Sequence, residues 1–361
     1  MDYRKKYIKY KNKYFQLKNQ MGGNSEKIYP THDEGKTNDD KVRQHLALFE
    51  MMNYEGYNKR NWDLVRAVFD QNIVTTFSNG TQLKGIEENM YMLMLQNLEW
   101  SPDQQIRNKI QFGSGDWTAL NMVIYGTFTK PMKHMTGQTI QPTNKKYSIE
   151  NCIFGYWANN KLVEMFVFGD QSAFMKELGI DPCVLPNKQT GGQSYPTFDS
   201  GNGDETVKRH LGLLERENFE GFNKRNWDLV RQLYDENVIL KMANGPEFKG
   251  IDAVLANMQD GLDETTKVDS INIHFGSDRS TRSTCDLATR SGDWTAVSMT
   301  MSGTFSQAVE NPKDGSTIKP TNKPWRMNHA ALIRWRNDKI IEIIGFWDNG
   351  EFMKQIGLSQ C

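Results

Sequence analysis

Cysteine is scarce in this chain, and its cysteines are not clustered. The four among 361 residues are Cys152, Cys183, Cys285 and Cys361, and no two form a CxxC motif. Neither a disulfide framework nor a zinc site is indicated. The sequence also lacks metal-spaced histidines, a catalytic-triad motif and a glycine-rich phosphate loop. We therefore expect no metal, no cofactor and a reducing, intracellular compartment.

Long apolar runs and a net charge are also missing. No stretch of about 20 apolar residues is present, so no membrane-spanning helix is expected, and the N-terminus has no apolar secretory core. Lys+Arg and Asp+Glu both number 44. Since a nucleic-acid-binding chain is usually basic, specific nucleic-acid binding is not expected. Hydrophobic residues make up 37% of the chain, which allows a sizeable core.

The first 20 residues differ from the rest in charge. Seven basic residues accompany a single acid, Asp2, and tyrosines recur every three or four residues from Tyr3 to Tyr14. This spacing predicts a basic amphipathic helix over residues 1–23, ended by a Gly-Gly pair, with a polar linker over 24–38. Four alternative roles are open for such a helix: docking on the rest of its own protein, a coiled-coil contact, binding to an anionic partner, or targeting of the protein to a compartment.

The segment from Lys6 to Gly23 resembles an N-terminal segment, KYxKYKxKYxxLKxxxGG, of many proteins of giant DNA viruses of the mimivirus group. This resemblance implies the host cytoplasm, a viral factory or the virion as the location. A Gly-Gly pair followed by another residue also resembles the processing sites of proteases in large DNA viruses. Cleavage after Gly23 is therefore a hypothesis, which an intact Met1 terminus on all natural-source molecules would contradict.

The most informative feature is an internal repeat. Residues 53–66, NYEGYNKRNWDLVR, and residues 218–231, NFEGFNKRNWDLVR, are identical at twelve of fourteen positions. The motifs KGI, GDWTA, GTF and PTNK then follow in the same order in both copies. Each copy is long enough to be a domain. We predict domain 1 over 39–182, a Pro/Gly-rich linker over 183–203 and domain 2 over 204–361.

Within each copy, helical patterns come first and strand patterns second. In domain 2, Asn226 is expected to cap a helix, and Trp294 to Phe305 alternates as a half-buried strand does. Strands from about Trp325 to Trp335 and from Lys339 to Trp347 flank an Asn-Asp hairpin turn. This order predicts an α+β fold with an antiparallel meander. An insertion near 278–290 predicts a longer loop in domain 2.

The last strand of each copy ends in an aspartate. Even-numbered residues from Ile340 to Asp348 are expected to share one face if no bulge intervenes, and Phe168 and Asp170 occupy the matching place in domain 1. A carboxyl group in apolar surroundings has a raised pKa and can act as a general acid or base. Alternatively, Asp348 caps the helix that follows it.

Two further positions have both a structural and a functional interpretation. His329 lies on the preceding strand, where domain 1 has Asn151. It is either a hydrogen-bonded core residue or a polar partner of the aspartate. The repeated Trp62 and Trp227 are either core anchors or ligand-stacking groups.

Together these motifs resemble the SnoaL-like polyketide cyclase family of the NTF2-like superfamily. The motifs that carry the resemblance are N-x-x-N-W-D-x-V, K-G-I, G-D-W, G-T-F and the terminal K-I-I-E-I-I-G-F-W-D with Q-I-G-L. The resemblance covers both copies nearly end to end. It implies two tandem cone-shaped α+β barrels, each a curved sheet folded around helices and enclosing a mostly apolar pocket.

The resemblance also implies a small hydrophobic carbonyl ligand and an aldol-type cyclisation, isomerisation or dehydration. Asp348 and, less directly, Asp170 would be the general acid/base residues, with His329 as a companion. The expected pocket residues are Phe346, Trp347, Met299, Trp227, Phe168, Met122 and Trp62. The alternative is a non-catalytic binding or structural module, such as a giant-virus particle component.

Domains of this family commonly pair through the outer faces of their sheets, which implies an intramolecular pseudo-dimer here. The candidate contact faces are Ala296-Ser298-Thr300-Ser302 and Ala119-Asn121-Val123-Tyr125.

Overall fold

The computed structural model describes residues 40–133, 139–180, 198–199, 205–260, 262–277, 281–282, 293–310 and 317–358. The predicted helix over 1–23, the linker over 24–38 and the hypothesised cleavage after Gly23 lie outside these residues. Most of the linker over 183–203 and of the insertion near 278–290 also lies outside them.

Domain 1 begins with helices and continues with strands. Its helices are α1 (Asp40–Glu50), α2 (Trp62–Val68), α3 (Ile86–Asn89), α4 (Gln96–Trp100) and α5 (Gln171–Leu178), with π-helical turns at Met51–Tyr57 and Met90–Leu95. Its strands are β1 (Phe69–Phe77), β2 (Gln82–Lys84), β3 (Gln105–Ser114), β4 (Trp117–Thr127), β5 (Met132–Lys133), β6 (Thr139–Ile140), β7 (Lys146–Ala158) and β8 (Lys161–Phe168).

Domain 2 follows the same order after a short strand, β9 (Phe198–Asp199), from the linker. Its helices are α6 (Glu205–Arg216), α7 (Trp227–Leu233), α8 (Ile251–Gln259) and α9 (Asn349–Gln355), with a π-helical turn at Glu217–Phe222. Its strands are β10 (Tyr234–Met242), β11 (Glu247–Lys249), β12 (Lys267–Gly276), β13 (Thr281–Arg282), β14 (Trp294–Thr304), β15 (Val309–Glu310), β16 (Thr317–Ile318), β17 (Pro324–Arg336) and β18 (Lys339–Phe346). The predicted α+β class with two tandem copies is confirmed.

The chain forms two seven-stranded mixed sheets, one for each domain, and β13 of domain 2 joins the edge of the domain 1 sheet by pairing with β3. The strand orders are β13-β3-β4-β7-β8-β1-β2 and β11-β10-β18-β17-β14-β12-β9. The expected antiparallel meander is confirmed, but β1 and β10 add to it in parallel with β8 and β18. Apolar and polar residues do not alternate clearly along β3 and β12. Register shifts interrupt the pairing of these strands with β4 and β14, so strict alternation is not expected there.

The outer faces of the two sheets pack against each other. A buried cluster shared by both domains contains Phe112, Trp117 and Phe154 of domain 1 and Phe275 and Trp294 of domain 2. The Phe275 ring lies 6.1, 5.9 and 5.6 Å from the rings of Phe112, Trp117 and Phe154. Residues of both domains thus form one continuous apolar core between the sheets.

Polar contacts surround this apolar cluster. The Asn244 side chain accepts a hydrogen bond from the backbone N–H of Glu150 at 2.7 Å and donates one to its carbonyl at 2.9 Å. The Glu150 carboxylate pairs with Lys109 of its own domain and lies 3.6 Å from Lys241 of the other. Burial alone would raise the pKa of Glu150, but the two lysines and a hydrogen bond from Asn121 hold it below its usual range.

The strand faces on β4 and β14 that the sequence predicts to meet are buried over part of their length only. Ala119 and Ala296 lie in the shared apolar cluster, and Asn121 and Ser298 are fully buried. Tyr125, at the far end of β4, is 37% exposed and lies outside the contact.

Candidate functional site

The inner face of each sheet wraps around the helices of its own domain. Met122 and Trp62 pack in the inner cluster of domain 1, and Met299 and Trp227 pack in that of domain 2. The four expected pocket residues on these elements therefore do face the domain interiors. Each tryptophan also contacts a neighbouring ring edge-on, Tyr57 at 5.9 Å in domain 1 and Phe222 at 6.0 Å in domain 2.

A buried acid lies inside domain 2. Glu217 in the π-helical turn is 5% exposed, and Tyr234 at the start of β10 is 2% exposed. The Tyr234 hydroxyl donates a hydrogen bond of 3.2 Å to Glu217 Oε1. Burial raises the pKa of Glu217 to about 7, an effect that this hydrogen bond only partly offsets. The carboxyl group can therefore both donate and accept a proton near neutral pH.

Domain 1 has no equivalent of this pair. In the repeat, Met52 stands where domain 2 has Glu217, and Phe69 stands where it has Tyr234. Both belong to the apolar inner cluster of domain 1. Both positions lie just outside the almost identical segments 53–66 and 218–231, and the sequence signal for this pair is the change from two apolar side chains to a carboxyl and a hydroxyl group.

His329 is the second polar group on the inner face of domain 2. It lies opposite Met299 on β14 and has the same strand parity as Ala331 and Ile333, which belong to the inner cluster. Its Nδ1 atom is buried and has no hydrogen-bond partner among the described residues. Burial lowers the pKa of His329 to about 4, so the imidazole is neutral at physiological pH.

The Glu217–Tyr234 pair and His329 lie toward opposite ends of the domain 2 interior. Tyr234 on β10 pairs with Ile340 on β18, and Ile340 pairs with Trp335 on β17. Trp335 lies six residues along β17 from His329. At about 3.3 Å per residue, this places His329 roughly 20 Å away along the strand. Between them the inner face is apolar, with Val297, Ala331 and Ile333.

The expected position of Phe346 and Phe168 in a pocket is wrong. Both lie in the apolar cluster between the domains. The reason is a register shift between the last two long strands of each domain, β7 and β8 in domain 1 and β17 and β18 in domain 2. In domain 2 it breaks the alternation after Ile340. Ile340 faces the interior of domain 2, whereas Ile344 and Phe346 face domain 1.

The aspartates at the strand ends act as helix caps. Asp348 accepts a hydrogen bond of 3.1 Å from the backbone N–H of Glu351, and Asp170 accepts one of 2.9 Å from that of Ala173. Burial raises the pKa of Asp348 to about 6 and also raises that of Asp170. Trp347 does not extend the strand inward but stacks on Phe352 of α9 at 5.2 Å.

The space beside Asp348 is small. A cavity of about 20 Å³ lies between it, Asn79 and Asn328, which is room for about one water molecule. A wider surface groove of about 490 Å³ is lined by Lys267, Ser302 and Trp325 among others. None of the predicted acid/base residues lines this groove.

The described residues contain neither a candidate metal centre nor a candidate membrane span. Within that part of the chain, no three His, Cys, Asp or Glu side chains come together in a way that could hold a metal ion. The helices it contains are all too short or too polar to span a bilayer.

Comparisons with known proteins agree with this architecture. Residues 47–178 match the model of the SnoaL-like polyketide cyclase family, and residues 216–343 match that of the SnoaL-like domain. Together the two matches span more than two thirds of the chain. No match was found among curated proteins.

Several solved structures are similar to one domain of the chain. A putative SnoaL-like polyketide cyclase from Jannaschia Sp. CCS1 is 18% identical, with a TM-score of 0.36, and the alignment covers 41% of this chain and 100% of that one. AclR, a putative hydroxylase from Streptomyces galilaeus, is 21% identical, with a TM-score of 0.33 and coverage of 40% and 99%. IdmH, a putative polyketide cyclase from Streptomyces antibioticus, is 17% identical, with a TM-score of 0.32 and coverage of 38% and 99%. On the two family matches, the chain belongs to the SnoaL-like family and contains two copies of its domain in tandem.

Proposed function

We propose that the protein binds a small, mostly apolar molecule inside domain 2 and that domain 1 is its structural partner. The observation that carries this proposal is a difference between the two domains at three matched positions. Domain 2 has Glu217, Tyr234 and His329 on its inner side, where domain 1 has Met52, Phe69 and Asn151. Glu217 and Tyr234 share one hydrogen bond, whereas the Nδ1 atom of His329 is buried without a partner among the described residues. Since an unsatisfied buried polar atom destabilises a core, a bound molecule that pairs with His329 is a direct reason to keep it.

The charge state of these groups favours a neutral ligand. The pKa of His329, about 4, leaves its imidazole uncharged, and Glu217, with a pKa of about 7, readily takes up a proton. A protonated Glu217 can donate a hydrogen bond to a carbonyl or hydroxyl oxygen. We therefore propose an uncharged carbonyl or hydroxyl compound with an apolar body as the ligand class.

The same site is also suited to acid–base chemistry on its ligand. Members of this family are identified as polyketide cyclases, and a carbonyl compound held beside a carboxyl group of pKa about 7 is suited to proton transfer next to the carbonyl. We assign this role to Glu217 rather than to Asp348 or Asp170, because both aspartates are occupied as helix caps.

A structural role for the pair of domains is the second candidate. The apolar cluster between the sheets supports the proposal that the two copies form an internal pseudo-dimer. In this arrangement domain 1 stabilises domain 2 and needs no ligand of its own.

The ligand proposal is tested with 6-propionyl-2-dimethylaminonaphthalene, an uncharged fluorescent aromatic ketone. The double variant Glu217→Met with Tyr234→Phe copies the domain 1 residues, so it removes both partners of one hydrogen bond and should unfold at nearly the wild-type denaturant concentration. We expect fluorescence titrations to give a Kd about tenfold higher for this variant than for the wild type, which corresponds to the loss of one good hydrogen bond.

Tyr57→Phe is the matched control, because Tyr57 is buried in domain 1 and accepts a hydrogen bond of 2.7 Å from Gln104. This variant should bind the ketone like the wild type. Equal binding by the double variant and the wild type, or no saturable binding by either, would contradict the proposal.

A further inference from the structure

The last helices of the two domains meet end to end across the domain contact. Helix α5 of domain 1 and helix α9 of domain 2 both begin at an aspartate cap. A Cβ atom added at Gly350 would lie 2.5 Å from Ser172 Cβ, so no side chain larger than hydrogen fits there without movement. The first turns of α5 and α9 are therefore in direct contact.

The two caps also act on each other's helix. The backbone N–H of Gln171, at the start of α5, stabilises the charged form of Asp348, and that of Asn349, at the start of α9, stabilises the charged form of Asp170. Each carboxyl group thus interacts with its own helix and with the helix of the other domain. Asp348 is only 7% exposed.

We propose that Asp170 and Asp348 form a carboxyl latch that holds the two domains together and that takes up a proton as it closes. The geometry that supports this is a buried acid, Asp348, and a half-buried acid, Asp170, each of which interacts with the first backbone N–H of the other domain's helix. If both are charged, the charge of Asp170 disfavours the charged form of Asp348 in a place that is partly shielded from water. One proton removes the repulsion, and because a neutral carboxyl group can still accept through its carbonyl oxygen, the caps remain.

The neighbouring charges do not cancel this effect. Lys176 on α5 lowers the pKa of Asp170, while Glu351 on α9 raises that of Asp348. Arg326 on β17 lines the same small cavity as Asp348, but it is paired with Asp269. Burial is the largest influence on both aspartates and raises both pKa values, that of Asp348 to about 6.

The raised pKa values of the two aspartates set the sign of the pH effect. A carboxyl group whose pKa is higher in the closed state than in the open chain stabilises the closed state most at low pH. Its contribution is lost as the pH rises through about 6, the pKa of Asp348 in the folded protein. With ordinary and raised pKa values of 3.8 and about 6, the closing equilibrium should weaken about tenfold between pH 5 and pH 7.5.

Hydrogen exchange of the full chain, followed by mass spectrometry on peptides that cover α5 and α9, tests the latch. After correction for the intrinsic pH dependence of exchange, we expect the wild-type protection of these first turns to fall about tenfold from pH 5 to pH 7.5. Asp348→Asn keeps a capping oxygen and removes the charge. Its protection should therefore change much less between the two pH values than that of the wild type, because only Asp170 still titrates at this contact.

Asp103→Asn is the matched control. Asp103 also accepts hydrogen bonds at a turn, from the backbone N–H and the hydroxyl of Thr127 at 2.9 and 2.7 Å. Although burial would raise the pKa of Asp103, these hydrogen bonds hold it below its usual value, so the variant should keep the wild-type response of α5 and α9. A wild type with pH-independent protection, or an Asp348→Asn variant with the full tenfold response, would overturn the latch. Neither result depends on ligand binding in domain 2.

Discussion

Replacing Phe275 by alanine should lower the free energy of unfolding by about 3–5 kcal/mol, the usual cost of removing a fully buried aromatic ring. Phe275 belongs to domain 2 and is 0% exposed. The three ring contacts described above all reach residues of domain 1. The stability lost is therefore mainly that of the contact between the domains.

Urea unfolding followed by tryptophan fluorescence and circular dichroism measures this loss. Phe219→Ala is the matched control because Phe219 is 37% exposed, and it should change the unfolding free energy by no more than about 0.5 kcal/mol. If the two alanine variants had equal stability, the apolar cluster between the sheets would not be the main contact of the domains.

An aspartate at Ala296 should separate the two domains. Ala296 is 0% exposed and lies in the shared apolar cluster, between Phe275 on β12 and Leu332 on β17. A carboxylate there would be buried without a partner, which costs about 4 kcal/mol or more. Moving the domains apart exposes the new charge to water without unfolding either sheet.

Small-angle scattering distinguishes these outcomes. Ala296→Asp should have a larger radius of gyration than the wild type but a far-ultraviolet circular dichroism spectrum of similar strength. Ala253→Asp, at an exposed position in the first turn of α8, should leave both unchanged, because an acid is favourable near a helix start. A compact Ala296→Asp variant of wild-type stability would contradict the described packing.

Much of the fold could be predicted from the sequence because the repeat doubles every signal. The Asn-Asp turn between β17 and β18 is present, with Asn337 and Asp338 at φ values of 52° and 59°, and Asn226 caps α7 through its side chain. These are local features, which depend on a few neighbouring residues. They therefore follow from the sequence without knowledge of the packing.

The orientation of the last strand could not be predicted in this way. Period-two alternation assumes a regular ladder, and a single register shift near Glu342 turns the second half of β18 over. Phe346 consequently faces domain 1, and Asp348 follows it toward the domain contact. No residue in the strand indicates such a shift in advance.

The candidate site was hidden for a different reason. Glu217 lies in a π-helical turn within a helical pattern, where an acid ordinarily indicates a solvent-facing side. Only its comparison with Met52 at the same place in domain 1 shows that the position faces the interior. Differences between the two copies were therefore more informative about the site than the motifs that the copies share.

Titration of the aromatic ketone into Asp348→Asn and into the Glu217→Met, Tyr234→Phe double variant, side by side, tests the central claim most directly. If the interior of domain 2 holds the ligand and Asp348 serves only the domain contact, Asp348→Asn should bind with a Kd within about twofold of the wild type. The double variant should bind about tenfold more weakly. The opposite order, with binding lost in Asp348→Asn and kept in the double variant, would contradict the account and place the site at the end of β18.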